Sequence, residues 1–282
     1  MMMSGKTRVA GVMGWPVTHS RSPRLHGWWL EEHGIDGAYI PLPVRPEDFA
    51  TAVRALPMLG FAGANVTVPH KEAALRACDD VSDLAERIGA VNTLVCRDDG
   101  TLYGDNTDGF GFLENLRAGC RGWQADAGPA VVLGAGGAAR AVVAALQDAG
   151  CPEVRLTNRT RARAEELAAS LGGAMTVVDW DARAEALDGA GLLVNTTTLG
   201  MEGAPPLEMP LDPLPRGALV TDIVYAPLVT DLLTRAEARG NPVVDGLGML
   251  LHQGRPGFEA WFGVFPEVTD DLRRFVLGEP GA

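Results

Sequence analysis

The chain has 282 residues, enough for two ordinary domains or one large α/β domain, and its 46% apolar and 21% charged content excludes wholesale disorder. Lys and Arg number 24 against 36 Asp and Glu, and the formal charge of −12 argues against nucleic acid or membrane surfaces as partners. Any anionic ligand must therefore be held by local donors against the global field.

Strand-like and helix-like patterns alternate along the chain, which predicts an α/β protein with a mainly parallel sheet. Arg8 to Met13 predicts a strand, and Pro23 to His33 a helix with Ser22 as a good N-cap. Ala38 to Pro43 predicts a strand, Pro46 to Leu56 a helix, Gly63 to Val68 a strand and Lys71 to Ala77 a helix. Thr93 to Arg97 and Thr101 to Gly104 flank Asp98-Asp99-Gly100, a hairpin signal that implies a mixed sheet in this half. Thr107 to Leu116 looks helical, and Gly119 to Pro129 is polar and Gly-rich.

Ala130 to Leu133 follows as a fully apolar strand, then a helix from Ala138 to Ala149, stopped by Gly150 and Pro152. Further strands are expected at Val154 to Thr157, Leu192 to Thr196, Leu219 to Val224 and Val243 to Asp245. Helices are expected at Thr160 to Leu171 and Pro227 to Arg239. This is the βαβ rhythm of a nucleotide-binding domain. The 35 glycines cluster beside short apolar runs, as suits backbone that approaches a ligand. Cys78, Cys96, Cys120 and Cys151 are widely spread without C-x-x-C and read as scattered thiols, so no metal is expected. Met1 to Trp15 has no signal-peptide pattern and no apolar run approaches 18 residues, so a cytoplasmic protein is expected.

Gly134-x-Gly136-x-x-Ala139 follows an apolar strand and opens a helix, the context that turns this fingerprint into a dinucleotide site. The backbone of Gly134, Ala135, Gly136, Gly137 and Ala138 would approach a pyrophosphate at the helix N-terminus. Domains that take NAD usually carry an acid at the end of the second strand. Here that end reads Asn158-Arg159-Thr160-Arg161-Ala162-Arg163. Arg159 and Arg163 can offer guanidinium forks to a 2′-phosphate, and Thr160 would cap the next helix and donate to the same group. NADP is the expected cofactor.

The N-terminal half holds dense polar chemistry. Ser20 and Ser22 beside free helix N–H groups make a carboxylate cradle, although Ser22 alone reads as a cap. Asn65, Thr67 and Lys71 place an amide, a hydroxyl and an amine at a strand-to-helix junction, with Asn65 and Thr67 on one strand face. Asn92 and Asp108 add an amide and a carboxylate. Together they describe a polyhydroxylated, carboxylate-bearing ligand with a Lys/Asp pair near it.

In this chain the motifs GWPVTHSRSP, GANVTVPHK, GAVNT, GDNTDGFG, GAGGAAR, NRTRARA, NTTTLGM, DIVYAPLVTDLL and DGLGMLLHQG run almost end to end, from Gly14 to Gly263. The set closely resembles the shikimate dehydrogenase family. The resemblance implies NADP-dependent interconversion of 3-dehydroshikimate and shikimate. It implies that Ser20 and Ser22 hold the substrate carboxylate, helped by Tyr225. Thr67, Asn92, Asp108 and Gln253 would bind ring hydroxyls, and Lys71 would be the acid/base, with Asp108 beside it. Ile223 and Gly246 would line the nicotinamide end, and Asp83 falls where the family places a cofactor contact. Residues 1–106, completed by C-terminal helices in 247–282, would form the substrate domain. Residues 107–246 would form a Rossmann-like domain, with the active site in the cleft between the two and a homodimer left open. Departures are Gly27, where the family commonly has Asn, with a looser serine loop as the consequence, and His70 in place of an aromatic. His19 and His70 are expected to be structural. A quinate/shikimate dehydrogenase is the nearest alternative, but Arg159 argues against it. A non-catalytic NADP sensor would not keep Lys71 and Asp108, and a methylene-tetrahydrofolate dehydrogenase would not keep the two serines.

Overall fold

The computed structural model describes residues 3–279. The chain separates into two compact units, one running up to Thr107 and resuming at Leu250, the other from Asp108 to Met249. The first unit contains β1 (Arg8–Gly14), α1 (Ser22–Glu32), β2 (Gly37–Pro43), α2 (Phe49–Ala55), β3 (Phe61–Val66), α3 (Lys71–Ala77), β4 (Asp80–Val81), α4 (Asp83–Ile88), β5 (Thr93–Cys96) and β6 (Leu102–Asp105). Its sheet has the order β2-β1-β3-β5-β6-β4 and is mixed, because β5 runs antiparallel to both β3 and β6. The predicted hairpin is present: Gly100 takes a φ of +84° in its turn, and the Arg97 N–H donates to the Thr101 carbonyl at 2.9 Å.

Two cores hold this sheet. Met13, Val66 and Leu94 pack against Phe49, Val53 and Leu56 around α2. A second, aromatic cluster joins α1 to the C-terminal helices: His26 stacks on Tyr39 at 3.9 Å between ring centres and lies 5.6 Å from Trp261. Gly63 is required by this packing. A Cβ there would lie 2.1 Å from the Leu94 carbonyl oxygen and 2.2 Å from the Trp261 indole nitrogen. The indole N–H itself donates to Leu94 O at 2.8 Å.

The second unit contains α5 (Asp108–Gly119), β7 (Ala130–Leu133), α6 (Gly137–Asp148), β8 (Val154–Thr157), α7 (Arg161–Leu171), β9 (Met175–Val178), β10 (Leu192–Asn195), β11 (Leu219–Asp222), α8 (Asp231–Ala238) and β12 (Val243–Val244). Two helices follow, α9 (Leu247–Phe262) and α10 (Asp270–Leu277). All strands of this sheet are parallel, in the order β12-β11-β10-β7-β8-β9. The chain starts in the middle at β7 and winds outward both ways. The strand order therefore reverses between β7 and β10, where such sheets bind ligands at the carboxyl ends of their strands. Both strands are buried along their whole length, as a parallel sheet covered on two faces requires. One cover is α5 to α7. The other comes largely from the β10–β11 connection, where Leu199, Leu207, Met209, Leu211 and Leu214 pack without a helix. Prolines at 205, 206, 210, 213 and 215 prevent one there.

Several boundaries differ from the expectations. Helix α8 begins at Asp231, not at Pro227; Thr230 stands at its cap position, where the hydroxyl donates to Asp222 at 2.9 Å in place of a capping bond. The elements β4, α4 and β9 are additional, and the first two are too short to show periodicity. No helix among the described residues is long and apolar enough to cross a membrane.

Candidate active site

The loops at the carboxyl ends of β1 and β3 carry the polar residues of the first unit. Arg21, not Ser22, occupies the cap position of α1, and Ser22 is already helical. The local cap-like bond comes instead from Ser20, whose hydroxyl accepts the Ser22 N–H at 3.3 Å. Ser22 is buried, and the nearby Tyr39 hydroxyl donates to Asn65 Oδ1 at 2.6 Å. Gly27 lies exposed on α1, where a Cβ would meet nothing within 4 Å. Thr67 sits just past β3. Its N–H donates to Met13 O and its carbonyl accepts from the His70 N–H, both at 2.9 Å, so the turn into α3 is pinned. Lys71 is the first residue of α3. His70 is buried and structural: its ring stacks on Phe49 at 4.4 Å and bonds the Val44 carbonyl at 2.7 Å. It fills the place of an aromatic and adds a hydrogen bond.

Asn92 is the hub of the ring-hydroxyl side. Its amide nitrogen donates to the Thr107 hydroxyl at 3.1 Å and to Gln253 Oε1 at 3.4 Å, while its Oδ1 accepts the Thr107 N–H at 2.9 Å. The Thr107 hydroxyl donates onward to the Gln253 carbonyl at 2.9 Å. Asn92 and Gln253 are therefore brought together, with Thr107 between them. Asp108 follows Thr107 directly and opens α5, buried. Asp83 stands exposed in the first turn of α4, whose cap is Ser82.

In the second unit Gly134 takes a φ of +109°, and a Cβ on it would lie 2.6 Å from the Thr196 hydroxyl. Only glycine turns there. Gly136 and Gly137 are exposed at the start of α6, and a Cβ on either would meet nothing within 4 Å. The first N–H groups of α6 have no side-chain cap, which leaves them available to an anion. At the end of β8, Asn158 donates to Thr160 O at 2.8 Å, which shapes the turn. Thr160 occupies the cap position of α7, but contrary to expectation its hydroxyl makes no capping bond. Arg161 is held by Glu165 at 2.8 Å and Asp179 at 2.7 Å. Arg159 and Arg163 are exposed, and neither makes an ion pair among the described residues. Asn158 and Arg159 line a cavity of about 540 Å³ with Asp179 and Trp180. Asp181 and Glu185 also line it, so the donors a 2′-phosphate could use are the guanidinium of Arg159 and the amide of Asn158.

Past the carboxyl ends of β11 and β12, Ile223 and Gly246 touch through backbone. A Cβ on Gly246 would lie 2.4 Å from the Ile223 carbonyl carbon. The neighbouring Asp222 and Asn195 escaped the sequence reading. Asn195 Nδ2 donates to Asp222 Oδ1 at 3.0 Å, and Asn195 Oδ1 accepts the Thr197 hydroxyl at 2.7 Å. Burial pushes the Asp222 carboxyl up, against the donors Val224 N–H, Asn195 and Thr230. The available signal was a polar residue ending each of two apolar strands. Tyr225, two residues beyond Ile223, is half-buried.

The family model for the shikimate dehydrogenase substrate binding domain matches residues 12–94, and that for shikimate / quinate 5-dehydrogenase matches residues 123–199. The shikimate dehydrogenase (NADP(+)) of Paramagnetospirillum magneticum is 69% identical over 275 residues, covering 98% of this chain and all of the relative. The chain belongs to the shikimate dehydrogenase family. A solved shikimate 5-dehydrogenase from Thermus thermophilus, in complex with NADP(H) and shikimate, is 40% identical with a TM-score of 0.86 over 96% of this chain and 99% of that one. A quinate dehydrogenase from Corynebacterium glutamicum in complex with NAD is 30% identical with a TM-score of 0.90, again covering 96% and 99%.

Behind the serine loop of this family member, burial pushes His26 down from 6.5 to about 3. The folded protein thus binds fewer protons than the unfolded chain between those values, so stability is lost as pH falls below 6.5. The slope attributable to His26 is at most about 1.4 kcal/mol per pH unit. Urea denaturation between pH 6.5 and 4 should therefore show a steeper loss for the parent protein than for His26→Asn. Parallel slopes would remove His26 as the acid-sensitive group.

Proposed function

We infer that the chain catalyses the reversible NADPH-dependent reduction of 3-dehydroshikimate to shikimate. The full-length 69% identity to an NADP(+) shikimate dehydrogenase carries this reading. Ser20, Ser22 and Tyr225 are assigned to the substrate carboxylate, and Thr67, Asn92, Asp108 and Gln253 to the ring hydroxyls. The N-terminus of α6, Asn158, Arg159, Thr160 and Arg163 are assigned to NADP, Ile223 and Gly246 to its nicotinamide end, and Asp83 to a cofactor contact. When bound, the cofactor supplies a hydride to the substrate carbonyl carbon. Lys71, as an ammonium, is assigned to give the proton that the forming oxyanion needs, with Asp108 assigned as the second catalytic residue. The substrate domain of this reading is 1–106 with 247–282, and the cofactor domain 107–246. Free thiols at Cys78, Cys96, Cys120 and Cys151 suit a reducing compartment, and we place the enzyme in the cytoplasm. A homodimer is compatible with this reading.

Initial rates with shikimate and with quinate, each against NADP and NAD, test it. Shikimate with NADP should be the preferred pair. A preference for quinate with NAD would overturn it in favour of a quinate dehydrogenase, which the basic end of β8 argues against.

A further inference from the structure

The segment from Ile223 to Thr230, between β11 and α8, has no regular secondary structure to hold it. It carries two residues assigned to the site, Ile223 at the nicotinamide end and Tyr225 on the substrate carboxylate. One side chain ties both of its ends. Asp222, the last residue of β11, accepts the Val224 N–H at 3.0 Å on Oδ1 and the Thr230 hydroxyl at 2.9 Å on Oδ2. The third donor to this carboxylate is Asn195 Nδ2, from the end of β10.

The protons around Asp222 are fully accounted for. The second amide hydrogen of Asn195 goes to the Leu199 carbonyl at 3.1 Å, and Asn195 Oδ1 takes the Thr197 N–H at 3.0 Å as well as its hydroxyl. Thr197 Oγ1 in turn accepts the Leu199 N–H at 3.1 Å. Each of these hydrogens thus has its acceptor within the group. The turn after β10 is bound to the segment after β11, and the Glu202 N–H adds a bond to the Ala226 carbonyl at 2.8 Å. Asn195, Asp222 and Thr230 are all buried, and Asp222 makes no ion pair among the described residues. A carboxylate at that depth depends on its donors, so the loss of one is felt by the whole group.

We propose that Asp222 and Thr230 are positioning residues for the reaction: their bond fixes the span of the 223–230 segment, so that Tyr225 keeps its place for the substrate carboxylate and Ile223 for the nicotinamide. Neither of the two is assigned a contact with substrate or cofactor. The proposal rests on the assignments of Tyr225 and Ile223.

Asp222→Ala would strand three buried donors and endanger the fold, so Thr230 is the residue to change. Thr230→Val keeps the shape and removes only the hydroxyl. It should raise the KM for shikimate by roughly 3–10-fold, the worth of one net hydrogen bond. It should also lower kcat by roughly 3–30-fold, because a small misplacement of the reacting pair is costly. Binding of NADP, assigned mainly to the start of α6 and to Arg159, should change far less. Thr230→Ser keeps the hydroxyl and should restore both constants. In a Tyr225→Phe background, Thr230→Val should add little to the KM, since the hydroxyl it positions is already gone, yet should still lower kcat. A lower melting temperature with the KM and kcat of the parent would mark a purely structural threonine and overturn the proposal. So would a Thr230→Ser enzyme that behaves like Thr230→Val, fully multiplicative KM effects in the pair, or an unchanged KM in Tyr225→Phe. A parent enzyme that does not turn over shikimate would instead defeat the assigned activity, so the two failures are distinct.

Discussion

Replacing Lys71 with alanine should lower turnover by roughly 10²–10⁴-fold, the usual worth of general acid–base help, while changing the KM for shikimate far less. The reason is timing. The carbonyl oxygen gains its full negative charge only as the hydride arrives, so an ammonium that donates to it stabilises the transition state more than the bound ketone. Lys71 is set for this by a rigid frame: it is the first residue of α3, the preceding turn is pinned through Thr67 and His70, and its carbonyl accepts the Val91 N–H at 3.0 Å. Asp108→Asn should act in another way. It keeps a hydrogen-bonding group for a ring hydroxyl but withdraws the carboxylate charge, so its effect should fall on both turnover and the KM for shikimate. On the assignment of both residues to one proton transfer, the double variant should be little worse than Lys71→Ala. Turnover and KM for the four proteins, with each substrate varied in turn, check this. Multiplicative losses, or a Lys71→Ala enzyme changed only in KM, would reduce Lys71 to a binding residue.

The parts of this molecule legible in the sequence are those with a local cause. The apolar runs at β1, β7 and β10 can be nothing but buried strands, and Gly134 announces a turn that no other residue makes. What stayed hidden depends on partners far along the chain. Ser22 has every local mark of an N-cap, yet it is already helical, Arg21 stands at the cap position, and Ser20 takes the local bond. Strand alternation puts Asn65 on a buried face but does not say that Tyr39, Thr93 and the Asn92 carbonyl complete its bonding. Thr230 is the same case, diverted from capping by Asp222. Local rules assign a polar side chain its commonest use, and at a site the commonest use is overridden by tertiary partners.

The basic turn after β8 yields the other large effect. Arg159→Asp should weaken NADP by roughly 10–100-fold, since it removes a charge-assisted donor and sets a carboxylate against the 2′-phosphate. NAD has no such phosphate and should change little, so the NADP/NAD ratio of kcat/KM should fall by nearly the whole factor. Arg163→Ala should move the ratio the same way by less, because it loses a donor without adding a like charge. Arg161 supplies the control inside the same turn. Its guanidinium is already occupied by Glu165 and Asp179, so Arg161→Ala should disturb the ratio least of the three. The exposure of Arg159 adds a dependence that packing would not: part of the preference is Coulombic in open solvent, and raising ionic strength should shrink it. A formal charge of −12 opposes an anionic cofactor, and on this assignment the local arginines supply the attraction that the whole molecule lacks. Kinetics with both cofactors at two salt concentrations measure all of this. An Arg159→Asp enzyme with an unaltered cofactor ratio, or an Arg161→Ala enzyme with the larger change, would move the 2′-phosphate contact to another part of the turn.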